Sequence, residues 1–355
     1  MAKLAVLEDF KRQVDDEIEK YLDRVIKETK QRDAVMAEAV RYVKKMVLAG
    51  GKRLRPAFMY YGYLAAGGKE KEKMLKTAIS IELIHAFLLI HDDIMDRDDK
   101  RHGLETLHIR YEKIGKRIFK NKDCVHFGNS MALIIGDMVG ALGNQVIFES
   151  KFKAERVMEA LSKLQTIVSM TVVGQSQDIH IEYKGSATEK EIMTMYENKT
   201  AKYTVEGPLH LGAILGGASE NTTGDLSRYA IPLGIAFQIQ DDILGAFGNE
   251  SKLGKKIGAD IIEGKQTILV ARAKAKADPG QKKIIASLLG KKDLNKAELK
   301  IFQEVIRETG ALDYAKNLSY ELVLKAKREL AKLTINKEAK TFLNEVADYM
   351  IEREL

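Results

Sequence analysis

Apolar residues recur along this chain at intervals of three and four, the spacing that lines one face of an α-helix. Phe10, Val14, Ile18, Tyr21, Leu22 and Ile26 trace the first such stripe. Comparable segments follow over roughly 33–48, 57–66, 71–96, 127–149, 152–182, 188–203, 222–244 and 260–276, with more towards the C-terminus. No period-two alternation between hairpin turns is visible, and no fixed-period repeat. Two stretches, 77–96 and 228–247, are apolar on most sides, which predicts central, buried helices. The polar and basic segment 111–125 is predicted to be a mobile loop between better-patterned helices. No linker-like change of composition interrupts the chain. The pattern therefore predicts an all-α fold, a single domain over residues 1–355 built as a bundle of long helices.

Composition narrows the class. At 45% hydrophobic and 31% charged residues the chain is of the ordinary globular kind. Only four prolines occur in 355 residues, which leaves room for long helices. The single cysteine, Cys124, excludes an internal disulfide and suits a reducing compartment, so a cytoplasmic protein is expected. No apolar run reaches the ~20 residues of a membrane span, so a soluble chain with no transmembrane segment is expected. The net charge is +7, yet lysines interleave with glutamates, as in Glu70-Lys71-Glu72-Lys73. That is a solvated helix surface, and no nucleic-acid partner is expected. A basic protein also suits small anionic substrates.

Both apolar helices end in paired aspartates. The first carries His91-Asp92-Asp93-Ile-Met-Asp96 and the second Phe237-Gln238-Ile-Gln-Asp241-Asp242-Ile-Leu-Gly245. Asp92 and Asp96 are one turn apart, so both carboxylates leave one helix face and could hold magnesium between them. Paired acids alone are a weak sign. Asp15-Asp16-Glu17-Ile18-Glu19 has similar spacing and reads as helix surface. What distinguishes Asp92 and Asp241 is that each terminates an apolar run, where a carboxylate is costly unless paired or metal-bound. Two such helices suggest two acidic walls facing one cavity.

Basic clusters accompany them. Gly50-Gly51-Lys52-Arg53-Leu54-Arg55-Pro56 reads as a helix start with Pro56 at the first helical position. It is either an anion cradle with Lys52 and Arg55 supplying charge, or a plain turn with solvated cations. Arg101-His102-Gly103, Lys199-Thr200 and a cluster from Gly254 to Thr267 that includes Lys255, Asp260 and Lys265 follow in order. Acids together with cations are what a magnesium-bound diphosphate needs. On spacing alone Gly174-Gln175-Ser-Gln-Asp178 is a polar seam inside a helix. The histidines and Cys124 show no zinc spacing, and no nucleophile elbow or dinucleotide fingerprint occurs.

Taken in order, these motifs resemble the trans-isoprenyl diphosphate synthases, most closely the archaeal-type geranylgeranyl diphosphate synthases. The ordered set runs Gly-Gly-Lys-Arg-Leu-Arg-Pro at 50–56, His-Asp-Asp-Ile-Met-Asp at 91–96, and His-Phe-Gly-Asn-Ser-Met-Ala at 126–132. It continues with Gly-Gln-x-x-Asp at 174–178, Lys-Thr at 199–200, Phe-Gln-Ile-Gln-Asp-Asp at 237–242, and Asp260 to Lys265. The likeness spans roughly residues 8–350. It implies a helical bundle around a deep cavity, a homodimer, and magnesium as cofactor, three ions per active site. By the same resemblance Asp92, Asp96 and Asp241 would hold the metal, and Lys52, Arg55, His85 and His102 would bind isopentenyl diphosphate. Arg101, Lys199, Thr200, Gln238, Lys255 and Lys265 would bind the allylic diphosphate. Gln175, Asp178, Asp242 and Asp260 complete the polar site.

Two positions depart from the family pattern. His102 stands where a second arginine is usual, and Gly245 where the second acidic motif usually has its last aspartate. The implied reaction is magnesium-assisted departure of diphosphate, attack by isopentenyl diphosphate and loss of a proton, which needs no side-chain nucleophile. Rival readings are a terpene cyclase, a head-to-head condensing enzyme, or a non-catalytic subunit. The Gly51–Arg55 cluster argues against a cyclase, which has no second diphosphate to hold. Chain length turns on Phe87 and Leu88. Phe87 lies ~7.5 Å along the helix axis from Asp92 at ~1.5 Å per residue. Spacing alone makes Phe87 a core residue and favours Leu88 as cavity lining. The resemblance reverses that order and implies an aromatic floor at Phe87, with geranylgeranyl diphosphate as product and farnesyl diphosphate as intermediate or second product.

Overall fold

The computed structural model describes residues 5–248 and 257–351. Among them the only strands are a two-residue pair, so the all-α expectation holds. The chain packs as two compact units, one within residues 3–60 and 68–161, the other within 61–67 and 162–355.

The N-terminal unit begins with α1 (Ala5–Lys30) and α2 (Ala34–Leu48), followed by α3 (Leu54–Ala65) and α4 (Lys71–Met95). A hairpin of β1 (Lys100–Arg101) and β2 (Leu104–Glu105) leads to α5 (Leu107–Ile118), α6 (Cys124–Phe148) and the start of α7 (Ala154–Lys184). Every residue of α4 from Thr77 to Ile84 is buried, as its all-round apolar pattern predicts. It lies along α6, where Gly136, Gly140 and Gly143 leave room for His91, Phe87 and Ile84 in turn. By length and composition α4 and α6 could each cross a bilayer, but half or more of each apolar stretch is buried inside the protein. That is how core helices look.

Two expectations are corrected here. Most of 111–125 is not a loop, because Leu107–Ile118 is helical and α6 starts at Cys124. The buried residues of α5 are Leu107, His108, Tyr111 and Gly115, and a stripe that includes a histidine and a glycine among four cations carries little hydrophobic signal. Pro56 is third in α3, not first. It is tolerated there because first-turn N–H groups have no intrahelical partner.

The C-terminal unit continues α7 and adds α8 (Glu189–Tyr196), a π-helix π1 (Glu197–Glu206), α9 (Gly207–Gly216) and α10 (Glu220–Phe247). Then come α11 (Ala259–Glu263), α12 (Ile268–Lys276), α13 (Pro279–Leu288), α14 (Lys296–Glu308), α15 (Ala311–Lys332) and α16 (Lys337–Ile351). α10 is the second central helix, tied down by Tyr229 Oη donating to the Leu343 carbonyl at 2.7 Å and Ser319 Oγ donating to that of Ala236 at 3.2 Å. The segment 260–276 is two helices, because Gly264 turns left-handed at φ 88° and ends the first.

Candidate active site

In the N-terminal unit the site is organised by a residue the motif reading passed over. Arg53 is 3% exposed and stands at φ 55° just before α3. Its Nε donates to Asp15 Oδ1 at 2.6 Å, Nη1 to Glu82 Oε1 at 2.6 Å, and Nη2 to the Val47 carbonyl at 2.6 Å. The loop 50–53 is thereby pinned to α1, α2 and α4. Lys52 is left exposed and Arg55 half-buried on the first turn of α3. Asp15 is consequently no plain surface acid. It is half-buried, paired with Arg53 and also with Lys11.

His85 of α4 faces this loop. Enclosure lowers its pKa well below the usual histidine range, and the positive charges of Arg55, Arg101, Arg53 and His102 add to the effect. It is therefore a neutral hydrogen-bonding ring at pH 7. A cavity of ≈ 60 Å³ is lined by Gly50, Gly51, Arg53, His85, Arg101 and His102 among others. His102 and Gly103 are the two central residues of the β hairpin, with φ of 49° and 77°. Positive φ at both positions is a type I′ turn. It presses the His102 ring onto Gly50, where an added Cβ would sit 2.6 Å from the imidazole.

At the end of α4 the three aspartates divide. The Asp96 amide donates to the Asp92 carbonyl at 2.8 Å, so the two side chains are one turn apart, both half-buried. Asp93 faces the other way, 1% exposed, and takes Arg101 Nε at 2.7 Å and Nη2 at 2.5 Å. Burial works to lower the Arg101 pKa, but Asp93, with Asp98 and Asp92, outweighs it and the net shift is upwards. Arg101 is fixed beside the acidic pair, not loose in solvent.

The C-terminal unit holds the second set. Asp242 is buried and accepts from Tyr196 Oη and from Gln238 Nε2, the latter at 2.8 Å. Its pKa is pushed up to about 8, chiefly by burial and further by Asp260 and Asp241, against the two hydrogen bonds. Tyr196 Oη in turn accepts the Ile268 amide at 2.9 Å, and Thr200 Oγ1 donates to Gln238 at 2.5 Å. Asp242 is thus a framework acid, and Asp241 beside it is half-buried. Lys199 donates to Asp178 at 2.5 Å. Burial would raise the Asp178 pKa, yet Lys199 and Lys265 hold it below the ordinary carboxylate value. Lys265 also pairs with Glu263 at 3.0 Å.

Lys199 and Thr200 sit on π1, where a π-turn re-aims side chains out of helical register. Gly174 lets α7 approach, its Cβ position being 2.3 Å from the Lys199 nitrogen. Next to it both amide atoms of Gln175 are buried without a hydrogen-bond partner. Gly245, the missing aspartate, has Asp260 Oδ2 2.8 Å from where its Cβ would be, so that space is already used by a carboxylate. Lys255 lies outside the described residues.

No group of three His, Cys, Asp or Glu side chains converges into a metal cage among the described residues. Half-buried Asp92 and Asp96 fit magnesium all the same, since that ion is usually held by one or two carboxylates plus water and phosphate oxygens.

The family model for polyprenyl synthetases matches residues 34–306. The chain belongs to the polyprenyl synthetase family. Curated relatives include the geranylgeranyl diphosphate synthase of Saccharolobus solfataricus, 36% identical over 86% of this chain and 87% of that one. Another is the geranylfarnesyl diphosphate synthase of Natronomonas pharaonis, 32% identical over 86% and 87%. Among solved structures, geranylgeranyl pyrophosphate synthase from Corynebacterium glutamicum, complexed with isoprenyl diphosphate and magnesium, superposes with a TM-score of 0.92. It is 32% identical and covers 98% of this polyprenyl synthetase and 99% of its own chain.

The motifs assign no role to Arg53, Asp15, Glu82, Asp93 or Tyr196 of this polyprenyl synthetase. One signal was available. Glu82 is the only charged residue in the apolar stretch 77–90, and a buried acid demands a cation.

Proposed function

We propose that this chain is a head-to-tail trans-prenyltransferase, joining isopentenyl diphosphate to allylic diphosphates with geranylgeranyl diphosphate as its main product. The observation that carries this reading is the end of α4, where half-buried Asp92 and Asp96 share a face beside an arginine locked on Asp93. Asp92, Asp96 and, from α10, Asp241 hold magnesium, three ions per site. Bound magnesium supplies positive charge to the diphosphate as it leaves. The chain's own residues do the rest. Arg101, Lys199, Thr200, Gln238, Lys255 and Lys265 bind the allylic diphosphate, with Gln175, Asp178 and Asp260 beside them. Lys52, Arg55, neutral His85 and His102 bind isopentenyl diphosphate. No side chain acts as nucleophile, because the attacking group is the substrate's own double bond.

Phe87, half-buried five positions before Asp92, is read as the floor that stops the growing chain. The protein is read as a cytoplasmic homodimer. Its one free cysteine suits a reducing compartment. Leu133, Ile134 and Phe148 expose 46%, 55% and 62% of their surface on α6, which suits a second copy.

The test uses labelled isopentenyl diphosphate with each allylic primer, with magnesium or with a chelator, and sizes the products. Activity should need magnesium and fall by at least ~100-fold in a folded Asp92→Ala variant, the loss of a main electrostatic element. Undiminished magnesium-dependent turnover in that variant would sink the reading.

A further inference from the structure

We infer that Gly140 of α6 is a positioning residue for product length, acting on the Phe87 ring from behind. The inference rests on the reading of Phe87 as the floor. Three α6 glycines, 136, 140 and 143, oppose three α4 side chains. A Cβ at Gly136 would lie 2.5 Å from His91 Nε2, and at Gly143 2.9 Å from Ile84 and 3.1 Å from the Ser80 carbonyl. Neither site has room. Gly140 differs. The three atoms nearest its Cβ would all belong to the Phe87 ring, at 3.2, 3.3 and 3.5 Å, tight contact that a shift of a few tenths of an ångström relieves.

The direction of that shift is constrained. Towards the next turn the ring is stopped by His91, whose imidazole stands edge-on at 4.9 Å and 75°. His91 is itself held, with Nε2 3.2 Å from the Leu133 carbonyl and 3.6 Å from Asp137. Phe87 is half-buried, and a methyl added at 140 stands on the α6 side of its ring, so it pushes the ring away from α6. A methyl at 140 therefore moves the ring off α6 and into the space the growing chain would occupy. Glycine at 140 seats the ring as far back as the fold allows, and longer products follow from that seat.

Products from geranyl diphosphate and labelled isopentenyl diphosphate are compared for the unaltered chain, Gly140→Ala, Phe87→Ala, Phe87→Leu and Gly140→Ala/Phe87→Leu. Gly224→Ala, a helical position with nothing within 4 Å, controls for the gain in helix propensity. The expected result is a several-fold rise in the farnesyl-to-geranylgeranyl ratio for Gly140→Ala, its partial reversal by Phe87→Leu, and no change for Gly224→Ala. If Gly140→Ala is too unstable to assay, the added methyl must still shorten the products of Phe87→Leu. An unchanged ratio, with Phe87→Ala lengthening products, overturns the role of Gly140 and leaves the floor standing. If Phe87→Ala also changes nothing, both fall. A merely structural defect lowers turnover without altering chain length.

Discussion

Arg53 shows how one side chain can hold a loop that the motif reading credits to its neighbours. A buried guanidinium is costly unless its donors are met, and here two carboxylates and a carbonyl meet them. Replacing it by methionine leaves Glu82 buried without its cation, which costs about 3–5 kcal/mol. Arg53→Met should therefore lower the denaturation midpoint sharply, and Arg53→Lys should recover only part because an ammonium lacks the planar fork. A Met variant within ~1 kcal/mol of the unaltered protein in urea titrations would contradict this. The pairing was illegible from α1 alone, since Asp15 meets a residue 38 positions away. His210 gives a second test. Its Nε2 donates to the Thr223 carbonyl at 2.8 Å, and Ser227 Oγ, 3.0 Å from the same nitrogen, donates to Glu206 at 2.6 Å. Burial, helped by Lys163 and opposed by Glu206, lowers its pKa from 6.5 to about 4. The folded state thus refuses a proton that the unfolded state accepts below 6.5. Its contribution is full above pH 6.5 and is lost as pH falls towards 4, by up to roughly 3 kcal/mol. Urea titrations at pH 7 and pH 4.5 should show a smaller acid loss in His210→Gln than in the parent. Equal losses would mean His210 does not titrate with folding.

At the scale of elements, the long helices were legible and their irregularities were not. Asp92 and Asp96 follow from their one-turn spacing at the end of an apolar run, but a π-helix has no pattern of its own. The segment 188–203 reads as an ordinary helix, while the backbone widens from Glu197 and continues helically to Gly216. The trace of that change is Gly174, which exists for the close approach of α7. An alanine there would place Cβ 2.3 Å from the Lys199 nitrogen and 2.5 Å from its Cα, backbone atoms that cannot rotate aside. Gly174→Ala should cost about 1–3 kcal/mol by overpacking. It should also disturb the Lys199–Asp178 pair, raising KM for the allylic substrate more than for isopentenyl diphosphate. A stable variant with both constants unchanged would show that π1 does not depend on that approach. The His102 turn carries the same lesson. Histidine at φ 49° is uncommon but tolerated better than a bulky side chain. Hairpin geometry, invisible in a helical pattern, is therefore part of what position 102 selects for.

For the whole molecule, what a linear pattern conveys is which faces are apolar, not what covers them. α6 is the instructive case. Val139, Leu142 and Val146 are buried against their own chain, whereas Leu133, Ile134 and Phe148 are open. At 100° per residue those three fall within an arc of roughly 100°, together with exposed Ala141 and with Asp137, whose side chain is 74% exposed. The sequence contains both stripes and does not say which is internal. Packing decides, because the glycines at 136, 140 and 143 belong to the face that meets α4. The remaining stripe is the kind of patch a monomer rarely leaves bare. A second copy approaching there would form a two-fold contact with α6 against α6, since the same patch must serve both partners. That arrangement would also bury Asp137 near His91 and so stiffen the support behind Phe87. Sedimentation equilibrium should accordingly give a mass of two chains for the parent. Leu133→Lys/Ile134→Lys should give one chain with unchanged helical circular dichroism, because both side chains point away from the unit's own core. If the double variant still sediments as a dimer, the contact lies on another face. If the parent itself is monomeric at micromolar concentration, the open stripe of α6 has some other purpose.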